Sequence, residues 1–157
     1  MEPVEELIYR HFVKEKWSLC LAESCTGGLV AARLVKVPGA SEYFLGSIVA
    51  YSNRSKETLL KVSSKVLSTH GAVSQEAAEE MAKGALAAFN SDFSIATTGI
   101  AGPSGGSPQK PVGLVCFAIA SKDKIISWQT ILTGDRTQIQ ESAATVALEK
   151  LFSQINH

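Results

Sequence analysis

Apolar residues recur at helical spacing in several stretches of the chain. Residues 3–16, and the segment that Ser74 caps and that ends near Phe89, both place apolar side chains on one face. Thr26 can cap another helix, which stops before Pro38-Gly39. Helices are therefore predicted over residues 3–16, 27–37, 53–61, 63–69 and 75–89, and from about residue 135 onwards.

Short apolar runs between these segments are typical of buried strands. They are predicted at residues 18–22, 44–51, 93–98, 114–120 and 124–132. The last two runs are joined by the turn Ser121-Lys122-Asp123 and predict a hairpin. Helices that alternate with strands indicate an α/β sandwich, and the hairpin makes its sheet mixed rather than purely parallel.

Size, charge and cysteine content narrow the class of protein. The 157 residues fit one domain, expected over residues 1–157, and 15 basic residues balance 15 acidic ones. A neutral chain disfavours non-specific binding to nucleic acid or to a membrane surface. No signal peptide is visible, and the three cysteines have no metal-like spacing. We therefore expect a cytoplasmic domain with no nucleic-acid or membrane partner and no metal.

Three segments follow predicted strands, where open α/β sheets bind their ligands. They are residues 22–28, 51–56 and 97–103, and two of them are rich in glycine. Free N–H groups at the glycine-rich helix start in residues 22–28 favour a phosphate or a developing oxyanion. Simpler interpretations exist, since such glycines often serve only the turn, Lys56 suits a solvated surface and Tyr51 suits strand packing. No Walker A or dinucleotide fingerprint is present.

The histidines do not suggest a catalytic base. His11 lies in the first predicted helix, His70 in a turn, and His157 ends the chain, so none accompanies a nucleophile. A Ser–His–Asp triad and a zinc site are both disfavoured, and a hydrolase of this sequence would need a lysine as its base. Cys25 competes with Ser24 as the nucleophile, because a thiolate is intrinsically more reactive. The hydroxyl is the group that needs a lysine.

Six motifs in order resemble one family over about residues 4–155. They are AESCTGG at 22–28, VAYSN-x-x-K at 49–56, HGAVS at 70–74, TGIAGP at 98–103, KPVG at 110–113 and GDR at 134–136. The sequence resembles the C-terminal domain of the competence-damage-inducible protein CinA, which is found alone as nicotinamide-nucleotide amidase. Ser47 departs from the family pattern where a glycine is common, as do Ser104 and Gln109 in the glycine loop.

This resemblance implies an activity and a set of site residues. The activity is hydrolysis of the carboxamide of nicotinamide mononucleotide to nicotinate mononucleotide and ammonia, without metal or other cofactor, by a homodimer. The implied fold is a three-layer α/β/α sandwich around a mixed, mostly parallel sheet. Ser24 matches the nucleophile, Lys56 and Tyr51 the residues that activate it, and Thr98 a second hydroxyl. The expected substrate-binding residues are Thr26, Gly27, Gly28, Asn53, Gly99, Ile100, Ala101, Gly102 and Arg136.

Two other functions stay open at this point. In larger family members the domain is fused to a second enzymatic domain, so a nucleotide-binding regulatory module without turnover is one alternative. A protein-interaction role linked to competence is another, and the neutral charge gives it no support. Ser24, Tyr51, Lys56 and Thr98 together favour the enzyme. For Arg136, an ion pair with Asp135 or a nearby acid is the alternative to binding a phosphate.

Overall fold

Five strands and six helices follow one another in a computed structural model that describes residues 1–156. His157 lies outside the described residues. The strands are β1 (Leu19–Glu23), β2 (Phe44–Val49), β3 (Phe93–Gly99), β4 (Leu114–Ser121) and β5 (Ile125–Ile131). The helices are α1 (Val4–Glu15), α2 (Leu29–Leu34), α3 (Asn53–Leu60), α4 (Ser64–His70), α5 (Gln75–Phe89) and α6 (Arg136–Ile155). A short 3₁₀ turn covers Ala40–Glu42.

The strands form a single mixed sheet in the order β2-β1-β3-β4-β5. β1 pairs in parallel with both β2 and β3, whereas β4 is antiparallel to β3 and to β5. Four strands therefore point in one direction and only β4 opposes them. The predicted mixed, mostly parallel sheet and its terminal hairpin are confirmed.

Both faces of the sheet are covered by helices, which gives the three layers. Leu19 and Leu21 of β1 pack into a core with α1, α2 and α6, while Cys20 and Ala22 face the core under α5. β1 is buried along its whole length for this reason. On the second face α5 and α3 approach closely, since a Cβ on Gly84 would lie 1.9 Å from the Leu60 carbonyl oxygen.

The sequence-based predictions differ from the structure mainly around α2 and β2. The helix predicted over 27–37 spans only Leu29–Leu34, and its N-cap is Gly28, with φ +100°, rather than Thr26. β2 ends at Val49 instead of residue 51. α6 starts at Arg136, close to the predicted residue 135, and Asp135 caps it in a capping box with Gln138. Across residues 1–156, no helix is both long and apolar enough to span a membrane.

Candidate active site

A cavity of about 250 Å³ opens beside the carboxyl ends of β1 and β3 and the start of α3. Its lining comes from the segments that follow β1, β2 and β3, from the loop between α4 and α5, and from the start of α6. The lining residues are Ser24, Cys25, Tyr51, Asn53, Lys56, Ala72, Val73, Thr98, Gly99, Ala101 and Arg136. Larger surface grooves of about 480 and 590 Å³ lie along α5. Of these three, the cavity of about 250 Å³ is the one that brings a buried lysine onto a serine, so the chemistry points to it.

The contact between Lys56 and Ser24 is the centre of this cavity. Lys56 is 1% exposed, and its Nζ lies 2.9 Å from Ser24 Oγ. The same nitrogen lies 3.1 Å from the carbonyl oxygens of Ala50 and Tyr51. The sequence produces this arrangement because Ser52 caps α3 through the N–H of Ser55, which begins the helix with Lys56 on its inner face. The surface interpretation of Lys56 is wrong.

Burial changes the protonation preference of the lysine. It lowers the pKa of the Lys56 ammonium, and the nearby Cys25 opposes this only in part. Among the described residues no carboxylate pairs with Lys56 to hold its charge. Lys56 Nζ donates to Ser24 Oγ and to the two carbonyl oxygens. Once the lysine is neutral, two hydrogens still serve the carbonyl oxygens, and the lone pair is free to accept the Ser24 hydroxyl proton. The geometry therefore suits a serine with a lysine base.

The Glu23 carboxylate organises the turn that carries Ser24, and sequence reasoning did not single it out. Glu23 is 1% exposed. Its oxygens accept hydrogen bonds from two hydroxyls and three backbone N–H groups, namely Thr26 Oγ1 (2.7 Å), Ser47 Oγ (2.8 Å), Gly28 N (3.2 Å), Val30 N (2.9 Å) and Ala31 N (3.2 Å). An acid at a strand end shortly before a helix start is the signal that could have revealed it.

These bonds correct the expected substrate-binding role of Thr26, Gly27 and Gly28. None of the three lines the cavity. The Thr26 hydroxyl is bound to Glu23 and lies 2.8 Å from Thr97 Oγ1, and the Gly27 N–H donates to the Ser24 carbonyl. Because Glu23 already takes the N–H groups at the start of α2, that helix end is not available to a phosphate.

Two backbone N–H groups directly after the serine have no acceptor in another described residue. No hydrogen bond within residues 1–156 joins the N–H of Cys25 or of Thr26 to a different residue, and the Cys25 N–H meets only its own sulfur. Cys25 also lines the cavity, and the N–H after a nucleophile is a common oxyanion donor. The Cys25 thiol is a poor nucleophile here, because burial raises its pKa to about 12. Ser24 is therefore the better candidate.

The mouth of the cavity is formed by Tyr51 and Arg136. The Arg136 guanidinium donates to the Gly102 carbonyl oxygen at 2.6 Å and to the Tyr51 hydroxyl at 3.0 Å. Among the described residues, Arg136 forms no ion pair with Asp135 or with another acid, which was the alternative. Tyr51 is 61% exposed, and its phenol contacts Arg136, so only its backbone carbonyl reaches Lys56. The Tyr51 hydroxyl bonds to Arg136 and not to Ser24 or Lys56, so this geometry does not support the expected activation of Ser24 by that hydroxyl.

Some of the remaining expected residues line the cavity, and the others form backbone contacts beside it. Thr98 lines the cavity with Gly99 and Ala101, and its hydroxyl donates to the Ala72 carbonyl at 2.8 Å. Ile100 is not in the lining; its N–H and carbonyl bond instead to the backbone around Leu114 and Gly113. Gly102 takes part through the carbonyl that holds Arg136. Asn53 is exposed at the rim.

The structure adds lining that the sequence analysis did not assign. Ala72 and Val73 lie in the HGAVS motif between α4 and α5 and form one wall of the cavity. Within the described part of the chain, no group of three or more His, Cys, Asp or Glu side chains could hold a metal ion.

Comparison with protein families and with curated proteins gives a consistent result. The family model of the CinA C-terminal domain matches residues 1–155. A CinA-like protein of Fervidobacterium nodosum is 47% identical over 148 residues, which are 94% of this chain and 36% of that protein. A CinA-like protein of Mycobacterium tuberculosis is 47% identical over 149 residues, which are 94% of this chain and 34% of that protein. The chain thus spans about a third of the length of these relatives.

Solved structures share the fold over almost the whole chain. The competence/damage inducible protein CihA of Agrobacterium tumefaciens superposes with a TM-score of 0.95 at 37% identity, covering 98% of this chain and 94% of that one. The competence damage-inducible protein A (ComA) of Klebsiella pneumoniae gives a TM-score of 0.94 at 32% identity, covering 99% of each chain. The names of these relatives state no substrate.

Proposed function

The chain belongs to the CinA C-terminal domain family, and from that premise and its cavity we propose that it is a serine amidase. Its substrate is nicotinamide mononucleotide, and its products are nicotinate mononucleotide and ammonia. The observation that carries the proposal is the contact of 2.9 Å between Lys56 Nζ and Ser24 Oγ, with Lys56 only 1% exposed. A binding domain has no need for a buried base on a hydroxyl, because burying the amine is itself unfavourable.

The first half-reaction forms an ester. Neutral Lys56 accepts the Ser24 hydroxyl proton as Oγ attacks the carboxamide carbon. The carbonyl oxygen becomes an oxyanion, which accepts a hydrogen bond from the N–H of Cys25, the residue after Ser24 in the cavity lining. When the tetrahedral intermediate collapses, the C–N bond breaks, and the proton held by Lys56 passes to the nitrogen, so ammonia leaves.

The second half-reaction restores the enzyme. A water molecule enters where ammonia left, and neutral Lys56 takes its proton as the oxygen attacks the ester carbon. The Ser24–acyl bond then breaks, Ser24 regains its proton from Lys56, and nicotinate mononucleotide is released. No residue beyond this pair has to change its protonation state, which agrees with the lack of a histidine in the cavity lining.

The phosphate of the substrate fits the mouth of the cavity. Since Glu23 fills the start of α2, the positive group left at the opening is the Arg136 guanidinium, which Gly102 and Tyr51 orient. Arg136 is exposed, so its remaining donors can face an anion in solvent. The carboxamide then lies at Ser24 with the phosphate toward Arg136.

Phosphate recognition predicts a clear order among three amides. Free nicotinamide and its riboside should show kcat/KM lower than the mononucleotide by about 10–100-fold, the usual value of a charge-assisted hydrogen bond. Arg136→Gln should lose most of that preference while leaving the riboside unchanged. The measurement is ammonia release from each compound by wild type, Arg136→Gln and the control Lys122→Gln, which removes a charge from the β4–β5 turn.

Each outcome of this comparison has a separate meaning. Equal kcat/KM for all three amides would refute phosphate recognition but leave amide hydrolysis standing. Saturable binding of the mononucleotide with no ammonia from any compound would refute the enzyme and favour the nucleotide-binding module instead.

A further inference from the structure

Glu23 accepts more hydrogen bonds than any other carboxylate among residues 1–156. Its donors come from the residues that follow Ser24, from the first turn of α2 and from β2. None of these contacts reaches the cavity, and Glu23 does not line it. The proposed reaction assigns Glu23 no proton and no substrate contact. Its concentration of bonds beside the nucleophile therefore needs another explanation.

We propose that Glu23 is the positioning residue of the oxyanion site, acting through the turn that connects β1 to α2. This inference rests on the proposed amidase function. Oε1 binds Thr26 Oγ1, Gly28 N and Val30 N, and Oε2 binds Ala31 N and Ser47 Oγ. The carboxylate thereby holds the far side of the turn, and the N–H of Cys25, which lines the cavity, is left without a partner in any other described residue.

The negative charge of Glu23 performs a second task in the same place. The start of a helix attracts anions, and here it lies a few residues from the nucleophile. Because the carboxylate already satisfies Gly28, Val30 and Ala31, a substrate phosphate gains nothing by binding there. Five donors also disperse the charge of the carboxylate, which limits its repulsion of the nearby oxyanion. The substrate is left to enter with its amide, rather than its phosphate, at Ser24.

A purely structural role makes a different prediction from a positioning role. Loss of general stability lowers the amount of folded enzyme, whereas a misplaced oxyanion donor lowers kcat and leaves substrate binding nearly unchanged. The two substitutions Glu23→Gln and Glu23→Leu remove the contacts of the carboxylate to different extents. Glutamine keeps the shape and one good acceptor but loses the charge, and leucine removes every acceptor at similar volume.

The experiment measures kcat, KM and unfolding temperature for both variants with nicotinamide mononucleotide. We expect kcat to fall by about tenfold in Glu23→Gln and by at least about 10²-fold in Glu23→Leu, with KM within about threefold of wild type. The matched controls are Glu79→Gln and Glu79→Leu, which alter a half-buried carboxylate that accepts from Ser127 at 2.6 Å, between α5 and β5. Those controls should keep kcat within about threefold.

A second measurement does not depend on turnover. A fluorophosphonate reacts with an activated serine and places a phosphoryl oxygen where the oxyanion forms, so its rate should fall in the same order through the Glu23 series. Amide hydrogen exchange should accelerate at Gly28, Val30 and Ala31 of Glu23→Gln while β3 stays protected. If Glu23→Leu does not fold, the Glu23→Gln variant alone decides the question.

Three results would overturn the inference. One is a Glu23→Gln variant with wild-type kcat and wild-type phosphonylation. Another is a loss that appears in KM or in folded fraction rather than in kcat. The third is a wild-type chain whose Ser24 reacts with neither the nucleotide nor the fluorophosphonate, which would overturn the proposed function as well. Wild-type phosphonylation without ammonia release would contradict the proposed substrate only.

Discussion

Ser24→Ala is expected to lower kcat for nicotinamide mononucleotide by at least about 10⁴-fold, because the variant has no hydroxyl to form the acyl intermediate. The fold should not change, since Ser24 Oγ contacts only the Lys56 amine among the described side chains. Ammonia release and the thermal unfolding transition measure the two effects separately. A Ser24→Ala chain that keeps more than about a hundredth of wild-type kcat, against that expected loss, would exclude a serine nucleophile.

Cys25→Ala is the matched control for this experiment. It removes the neighbouring nucleophile, whose pKa is raised by burial, and keeps the backbone N–H that the oxyanion needs. Activity should stay within about tenfold of wild type, with the remaining loss due to a small cavity in the core. The opposite assignment would follow if a thiol alkylator inactivated wild type but not Cys25→Ala, and if substrate prevented that inactivation.

Lys56→Met should lose about 10²–10⁴-fold in kcat, the usual contribution of a general base. Methionine keeps most of the length and apolar volume of lysine but cannot accept a proton. Because the amine is buried without a carboxylate partner, the variant should unfold at a temperature no lower than wild type. A variant that retains more than about a tenth of wild-type kcat would exclude lysine as the base.

The pH dependence of the same pair tests the protonation state of Lys56. The lowered pKa means that kcat/KM should rise with pH through a value below the usual ~10.4 of lysine and then level off. Below that value the folded chain has to hold a buried ammonium, so wild type gains stability relative to Lys56→Met as pH rises toward ~10.4. A stability difference between the two chains that is independent of pH would contradict the lowered pKa.

Local patterns in the sequence were sufficient to predict most of the fold. Apolar runs and the turn Ser121-Lys122-Asp123 predicted every strand, and Asp135 marked the start of α6. The error at α2 has a physical cause, because Glu23 from β1 takes the N–H groups that a capping threonine would otherwise serve. A tertiary contact decided that helix start, and local propensity does not describe such a contact.

The sequence predicted where the residues of the candidate site lie better than it predicted what each of them contacts. The rule that ligands bind at the carboxyl ends of strands predicted the neighbourhood of Ser24, Lys56 and Thr98, and the structure has all three in the lining of one cavity. It could not show that Thr26 faces Glu23, that the Tyr51 phenol faces Arg136, or that Ala72 and Val73 form a wall. Those facts depend on side-chain directions set by packing between distant segments, which neither spacing nor composition encodes.

We propose that Ser24, with Lys56 as its base, hydrolyses the carboxamide of nicotinamide mononucleotide. The most direct test incubates purified wild-type chain with the nucleotide and follows ammonia and nicotinate mononucleotide together, with Ser24→Ala prepared in parallel as the blank. We predict that wild type forms the two products in equal amounts and that the Ser24→Ala chain forms neither. Wild type that yields no ammonia, or a Ser24→Ala chain that yields as much as wild type, would contradict the claim.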